Sequence, residues 1–350
     1  MKKFLSIIMA LCMILAMTAC TSAPAAEVPA APAADTPAAP ATDTPAEPAG
    51  DKVYKVAMIC DSSISDGGWG AACYNAMVAA AEANGWDHMY TDSIEVSAYV
   101  ESITSYCALG YDMIFAPGNQ YSDAVKEVAA EYPDVYFAVL NGNEALPTDN
   151  ITSVLPDADQ IGYLAGIIAG LMSKTNTLGF IGGMELDTTK AKLAGYAAAA
   201  QAINPDIKVL SAYAGSFNDT AKGMELAASM ISEGADVFFG DASAVDSGAR
   251  QAIDNANGSG EIKIFDVGQP ADLLGQNPCV ITSVVTDNAG MLSLCMEAVE
   301  NGTFGNAVVY GTLENGCLTP GKFNDELVSA EIQTAYSEFV SKLAAGTFPG

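Results

Sequence analysis

Apolar residues fall along this chain in two alternating rhythms. Short runs with strand character lie at 53–59, 113–115 and 135–140. Between them, apolar side chains recur at helical spacing, as in Trp69, Ala72, Cys73, Ala76, Met77 and Ala80, and again over 124–130. A second series follows, with strand-like runs at 178–181, 209–210, 237–239 and 262–265, each divided from the next by an alanine-rich helical segment. Strands alternating with helices in this way predict parallel sheets with crossover helices. Two such series in roughly 300 residues predict two α/β lobes. Ligands of open α/β sheets sit beyond the carboxyl ends of the strands, which directs attention to the residues that follow each run.

Those residues are polar, and two are aromatic. Asp61, Ser62, Asp66 and Trp69 come after the first strand, Gly118-Asn119-Gln120 after the 113 run, and Asn141-Gly142-Asn143 after the 135 run. In the second series, Phe217-Asn218-Asp219 follows the 209 run, Gly240-Asp241 the 237 run, and Asp266-Val267-Gly268-Gln269 the 262 run. Asp, Asn and Ser also cap helices that follow strands, so any one of these groups reads equally well as a cap. Six of them converging on one cleft mouth favour ligand contact.

Composition narrows the choice of ligand. The formal net charge is −28, with 16% charged and half apolar residues. A surface so acidic opposes nucleic-acid binding, which depends on Lys and Arg neutralising phosphates. It equally opposes electrostatic adhesion to anionic lipid headgroups. Cys60, Cys73, Cys107, Cys279, Cys295 and Cys317 form no CxxC pair and have no histidine at metal-ligand spacing. They read as small buried thiols, although spacing leaves disulfide pairing open. The single histidine, His88, lies on a helix-to-strand connection, and neither a Ser-His-Asp set, a P-loop nor a metal cluster is present. No cofactor or metal is expected, and binding rather than catalysis is the expectation. A pair of carboxylates acting as acid and base is the enzymatic alternative.

The first 50 residues have a separate character. Lys2 and Lys3 precede an almost wholly apolar run of about 14 residues, short for a membrane span. Thr18-Ala19 before Cys20 supply small residues at a cleavage position. This arrangement resembles a bacterial lipoprotein signal, with cleavage after residue 19 and acylation of Cys20. A plain secretory signal or a membrane anchor are the alternatives. Residues 20–52, rich in Ala, Pro and Thr, have almost no side chains able to build a core and read as a disordered linker. A globule tethered to the outer face of the cell membrane is the expected design.

Several ordered blocks of the body resemble the basic membrane protein family, the purine-nucleoside-receptor lipoproteins that serve as substrate-binding proteins of ABC importers. The segment from Asp61 to Trp69 is similar to the family's aspartate-rich opening loop, and Glu131-Tyr132-Pro133-Asp134-Val135-Tyr136-Phe137 to its KYPDVKF signature. Further similar blocks are Gly162-Tyr163-Leu164-Ala165-Gly166, Gly179-Phe180-Ile181-Gly182-Gly183, Tyr213 to Asp219, Gly234-Ala235-Asp236-Val237 and Thr282-Ser283-Val284-Val285. The resemblance implies a type-I periplasmic-binding fold, in which two Rossmann-like lobes joined by three hinge crossovers close on a ligand. The first lobe would take 53–156 with 284–310, and the second 157–283 with 311–350. The implied partners are a small molecule and an ABC permease, with the chain acting as a monomer.

The same resemblance implies a site. Trp69 and Phe217 match the family's two aromatic rings, one per lobe, that sandwich a purine; the alternative is that Trp69 packs under its own helix and Phe217 is core. Asn141 stands where the family usually has Asp, and an amide both donates and accepts where a carboxylate only accepts. Asp266, with Gln269 in a DxxQ arrangement, matches the ribose-binding aspartate. Thr286-Asp287 replace a lysine that often contacts the sugar. Gly240 and Asp241 would line the cleft, with Asp61, Ser62, Asp66, Asn119 and Asp219 as further contacts. A sensor that presents its ligand to a membrane receptor, or a binder of another small polar ligand such as a sugar, are the competing functions.

Overall fold

A computed structural model describes residues 52–65 and 69–349. The leader, most of the linker, Cys20 and Asp66 lie outside the described residues. Two sheets organise the chain. The first takes β1 (Lys55–Ile59), β2 (Asp87–Thr91), β3 (Met113–Pro117), β4 (Tyr136–Leu140), β5 (Ile151–Pro156) and, from much later in the chain, β11 (Val309–Gly311), in the order β11-β5-β4-β3-β1-β2. The second takes β6 (Thr177–Gly182), β7 (Lys208–Tyr213), β8 (Val237–Asp241), β9 (Phe265–Gly268), β10 (Val280–Thr286) and β12 (Leu318–Pro320), in the order β12-β10-β9-β8-β6-β7. All pairings are parallel except β10 with β12. Each lobe is thus the α/β unit that the alternating pattern predicts.

Helices cover both faces of each sheet, so the central strands are buried on both sides and read as continuous apolar runs. β3 is buried at all five positions. The outer strands differ. β2 alternates exposed and half-buried residues, and β7 has no buried residue. The helices of the first lobe are α1 (Trp69–Asn84), α2 (Tyr99–Ala108), α3 (Ser122–Glu131) and the later α8 (Asn288–Glu300), which packs on α1. Those of the second are α4 (Ala158–Met172), α5 (Asp187–Ile203), α6 (Thr220–Ser232), α7 (Ala244–Asn257) and α9 (Ala330–Ala344). Here α4 packs on α5 and α6 on α7.

The chain passes between the sheets three times, from β5 to α4, from β10 to α8, and from β11 to β12. β10 stays in the second sheet to Thr286, where it pairs with β12, so this crossing comes after Thr286. Asp157 caps α4 by accepting from Gln160 N, and Asp287 caps α8 by accepting from Gly290 N. Backbone bonds then tie the three passages together, from Asp157 N to Gly311 O (2.9 Å) and from Asp287 N to Cys317 O (2.8 Å).

One strand begins later than the apolar run at 262–265 suggests. The Asn257 side chain accepts from the backbone N–H groups of Lys263 and Ile264 and donates to Ile264 O, which staples this stretch to the end of α7. Pairing with the sheet starts only at Phe265, so Asp266 lies inside β9 rather than beyond it. The six cysteines of the body are all buried. Burial pushes the thiols of Cys107 and Cys295 up to about 11 and about 12, which leaves them unreactive at neutral pH.

Candidate functional site

The carboxyl ends of the two sheets face a cavity of about 340 Å³. Trp69, Asn141 and Pro156 come to it from the first lobe. Lys192, Phe217, Asp241, Ser243, Asp246, Arg250 and Gln269 come from the second, with Thr286 and Asn288 at the crossover. Trp69 opens α1, and its indole N–H donates to Pro117 O at 3.0 Å, which anchors the ring at the end of β3. Phe217 follows β7, its ring seated where a side chain on Gly183 would otherwise stand. Trp69 and Phe217 are each 37% exposed, so neither is a core residue.

Asn141 sits just past β4 with φ 54°, a left-handed conformation that Asn tolerates better than most residues. Ser243 also has a positive φ, 58° with ψ −117°, in the turn from β8 to α7. For a residue other than glycine this turn costs on the order of 1–3 kcal/mol, and such outliers gather at ligand clamps.

The second-lobe wall is a network of charges. Lys192 Nζ lies 2.7 Å from Asp241 Oδ1 and 3.2 Å from Gln269 Oε1. Thr189 Oγ1 donates to Asp241 Oδ2 at 2.6 Å, and Gln269 Nε2 donates to Gly240 O. Next to this cluster, Arg250 Nε donates to Asp266 Oδ2 at 2.7 Å, and the Asp266 charge holds the Arg250 guanidinium above its ordinary range. Asp246 accepts from Ala242 N at 2.9 Å, and burial lifts its carboxyl from 3.8 to about 7. Among the described residues no group of His, Cys, Asp and Glu is arranged to hold a metal ion.

The sequence expectations meet this geometry unevenly. Trp69, Asn141, Phe217, Asp241 and Gln269 line one cavity. Gly240 does not line it, and a side chain there would collide with Asp246 Oδ1. Asp266, 4% exposed, is behind the wall and meets the cavity only through Arg250. Asp61 and Ser62 bond each other at the first-lobe rim. Bonds to Asp61 from Gln120, Tyr99 and Tyr121 outweigh its burial and hold its carboxyl below the usual range. Asn119 is tied to Ser122 and Asn143. Asp219 caps α6 by accepting from Lys222 N, so at this position the capping reading describes the bond.

Lys192, Asp246 and Arg250 were not singled out by the sequence. Lys192 lies mid-helix, far from any strand end. Asp246 and Arg250, four residues apart on α7, look like a solvent-exposed ion pair. One signal was legible, since Arg250 is the only arginine in the chain.

Comparison with known proteins bears on this geometry. A family model described as ABC transporter substrate-binding protein PnrA-like matches residues 53–344. The ABC transporter nucleoside-binding protein BmpA of Lactococcus lactis subsp. cremoris is 29% identical over 275 residues, 75% of this chain and 77% of its own. The transcriptional activator protein med of Bacillus subtilis is 27% identical over 290 residues, 83% of this chain and 88% of its own. Among solved structures, an ABC transporter solute-binding protein from Conexibacter woesei has a TM-score of 0.68 at 24% identity, covering 85% of this chain and 98% of its own, a likeness of fold.

Proposed function

The chain belongs to the PnrA-like family of ABC transporter substrate-binding proteins and has their type-I periplasmic-binding fold, and from that premise we propose that it captures a purine nucleoside or nucleobase for an importer. The observation that carries this reading is the pair of half-exposed rings, Trp69 and Phe217, one from each lobe on one cavity. A purine is a flat π-system, and stacking on an aromatic ring contributes about 1–3 kcal/mol per base. One ring per lobe also couples binding to closure, since the sandwich is complete only when the lobes approach. The nucleoside-binding name of the Lactococcus relative supports the choice of ligand class. Asn141 at the first-lobe wall reads the base edge, donating and accepting where a carboxylate would only accept. The proposal includes export, acylation at Cys20 and anchoring on the outer face of the membrane, with delivery to a permease.

Mass spectrometry of the small molecule released on denaturing the purified protein tests the ligand class, and a purine compound is the expected result. A stoichiometric sugar or amino acid in its place overturns it. Asn141→Asp is expected to shift preference in calorimetry toward guanosine and inosine over adenosine. Unchanged relative affinities would remove Asn141 as the base reader. Acylation is checked by incorporation of labelled fatty acid, which Cys20→Ala should abolish.

A further inference from the structure

The Phe217 ring is held in place from the direction of α7. Its carbonyl accepts from the N–H of Ala244, the first residue of that helix, at 3.0 Å. The ring itself stands where a side chain on Gly183 would be, and the Gly183 N–H donates to Asp241 O at 3.0 Å. The turn from β8 to α7, residues 241–244, therefore decides where the ring stands. Ser243 occupies the N-cap of α7 at φ 58° and ψ −117°, and its side chain makes no capping bond. The turn is closed instead by Asp246, which reaches back with Oδ2 to Ala242 N at 2.9 Å, much as the acid of a capping box does. Bonds from Val245 N to Ala242 O and from Asp246 N to Ser243 O complete it. Asp246 is 8% exposed, and its Oδ1 is buried with no hydrogen-bond partner among the described residues. A buried acid with an unsatisfied oxygen is costly to keep. What this one holds is the strained turn beneath Phe217.

We propose that Asp246 is a positioning residue for ligand capture: its carboxylate holds the β8–α7 turn, the turn holds Phe217, and the ring clamps the ligand more firmly when Asp246 is ionised than when it is neutral. The effect on affinity rests on the ring sandwich. An ionised carboxylate accepts from an N–H more strongly than a neutral carboxyl does. Burial lifts the Asp246 carboxyl to about 7, with Asp266 from β9 and Asp241 from β8 acting in the same direction and Arg250 on its own helix opposing. Lys192 from α5 is bound to Asp241, and α6 meets α7 through Gly223 and Thr220, which carry no charge. The change of ionisation therefore falls near neutral pH, where it makes the capture of an uncharged ligand depend on pH. Because the ionised form binds better, affinity rises as pH rises through that region.

Calorimetry with adenosine, uncharged from pH 5 to pH 9, tests it on the wild type, Asp246→Asn, Phe217→Ala and the double variant. Asn keeps an oxygen for Ala242 N–H without the charge, and thermal melts confirm that each variant folds. Wild-type affinity is expected to rise about fivefold across this range, centred near pH 7, as a neutral hydrogen bond becomes a charged one. Asp246→Asn should bind at the wild type's acid-side level at every pH. With Phe217→Ala the profile should be flat, and Asp246→Asn should add no further loss. A flat wild-type profile, or a loss from Asp246→Asn that persists undiminished without the ring, would overturn the inference and leave the sandwich intact. The ligand-free protein supplies a separate readout. Ring signals of Phe217 in NMR, assigned with Phe217→Leu, are expected to titrate near pH 7 in wild type and to stay fixed in Asp246→Asn. If no purine compound binds, the sandwich reading fails on its own, and this titration decides the positioning role. Its presence would sustain the link from Asp246 to the ring, and a Phe217 signal indifferent to Asp246 would end it.

Discussion

At the residue scale, Trp69 and Asp246 make opposite kinds of demand on the fold. Trp69 is 37% exposed, its indole anchored by one bond to Pro117 O. Trp69→Ala should therefore leave the unfolding midpoint nearly unchanged and weaken purine binding by about 1–3 kcal/mol in calorimetry. Equal affinity in the variant would remove the stacking contact. Asp246 is the reverse, a buried group whose charge the fold does not favour. Burial lifts its carboxyl to about 7, with Asp266 from β9 and Asp241 from β8 acting in the same direction and Arg250 on its own helix opposing. Between pH 4 and 7 the folded chain holds this proton and the unfolded chain does not, so stability falls as pH rises through that window. Asp246→Asn does not titrate, and its melting temperature relative to wild type should rise from pH 4 to pH 8. A constant difference across that range would show that Asp246 ionises normally.

At the scale of elements, helices α5 and α7 carry the charged wall, and each is held against a neighbour by glycine. A Cβ on Gly248 of α7 would meet Thr220 O at 1.9 Å, and one on Gly162 of α4 would meet the carbonyl of Lys192 at 2.3 Å. Both obstacles are backbone, so neither helix can yield by turning a side chain. Gly248→Ala is expected to cost about 1–3 kcal/mol in urea unfolding and to weaken ligand binding as well, since it shifts α7 with Arg250. Unaltered affinity at reduced stability would mean that α6 moves instead. Legibility in the sequence follows burial for most strands, but β7, with no buried residue, still shows an apolar pair at 209–210, and the buried β5 and β10, broken by Thr and Ser, show no run. The central strands β1, β3, β4, β6 and β8 stand out as apolar runs because helices cover both their faces. β2 has no such run, because as an edge strand it is exposed at every second residue. β9 was displaced because its apolar approach, 262–264, is stapled to α7 by Asn257, an interaction that composition does not reveal.

At the scale of the whole described body, the three passages between the lobes sit side by side, joined by backbone bonds and capped by Asp157 and Asp287. A hinge of this kind concentrates motion in a few terminal residues and leaves each lobe rigid. Saturating nucleoside should therefore reduce the radius of gyration in small-angle X-ray scattering, and Trp69→Ala should diminish that change. An identical scattering profile with and without bound nucleoside would argue against closure as the response to ligand. The two-lobe α/β architecture, the acidic character and the aromatic and amide residues at strand ends were determined by the sequence itself, because hydrophobic period and turn chemistry are local properties. The tertiary structure alone decided which polar groups share the cavity. It placed Lys192, Asp246 and Arg250 on its wall, put Asp266 behind Arg250, and gave Asp219 to a helix cap. Whether a side chain faces a ligand, a partner or a helix end depends on neighbours distant in sequence, and the register and helix packing that bring those neighbours together have no local signature.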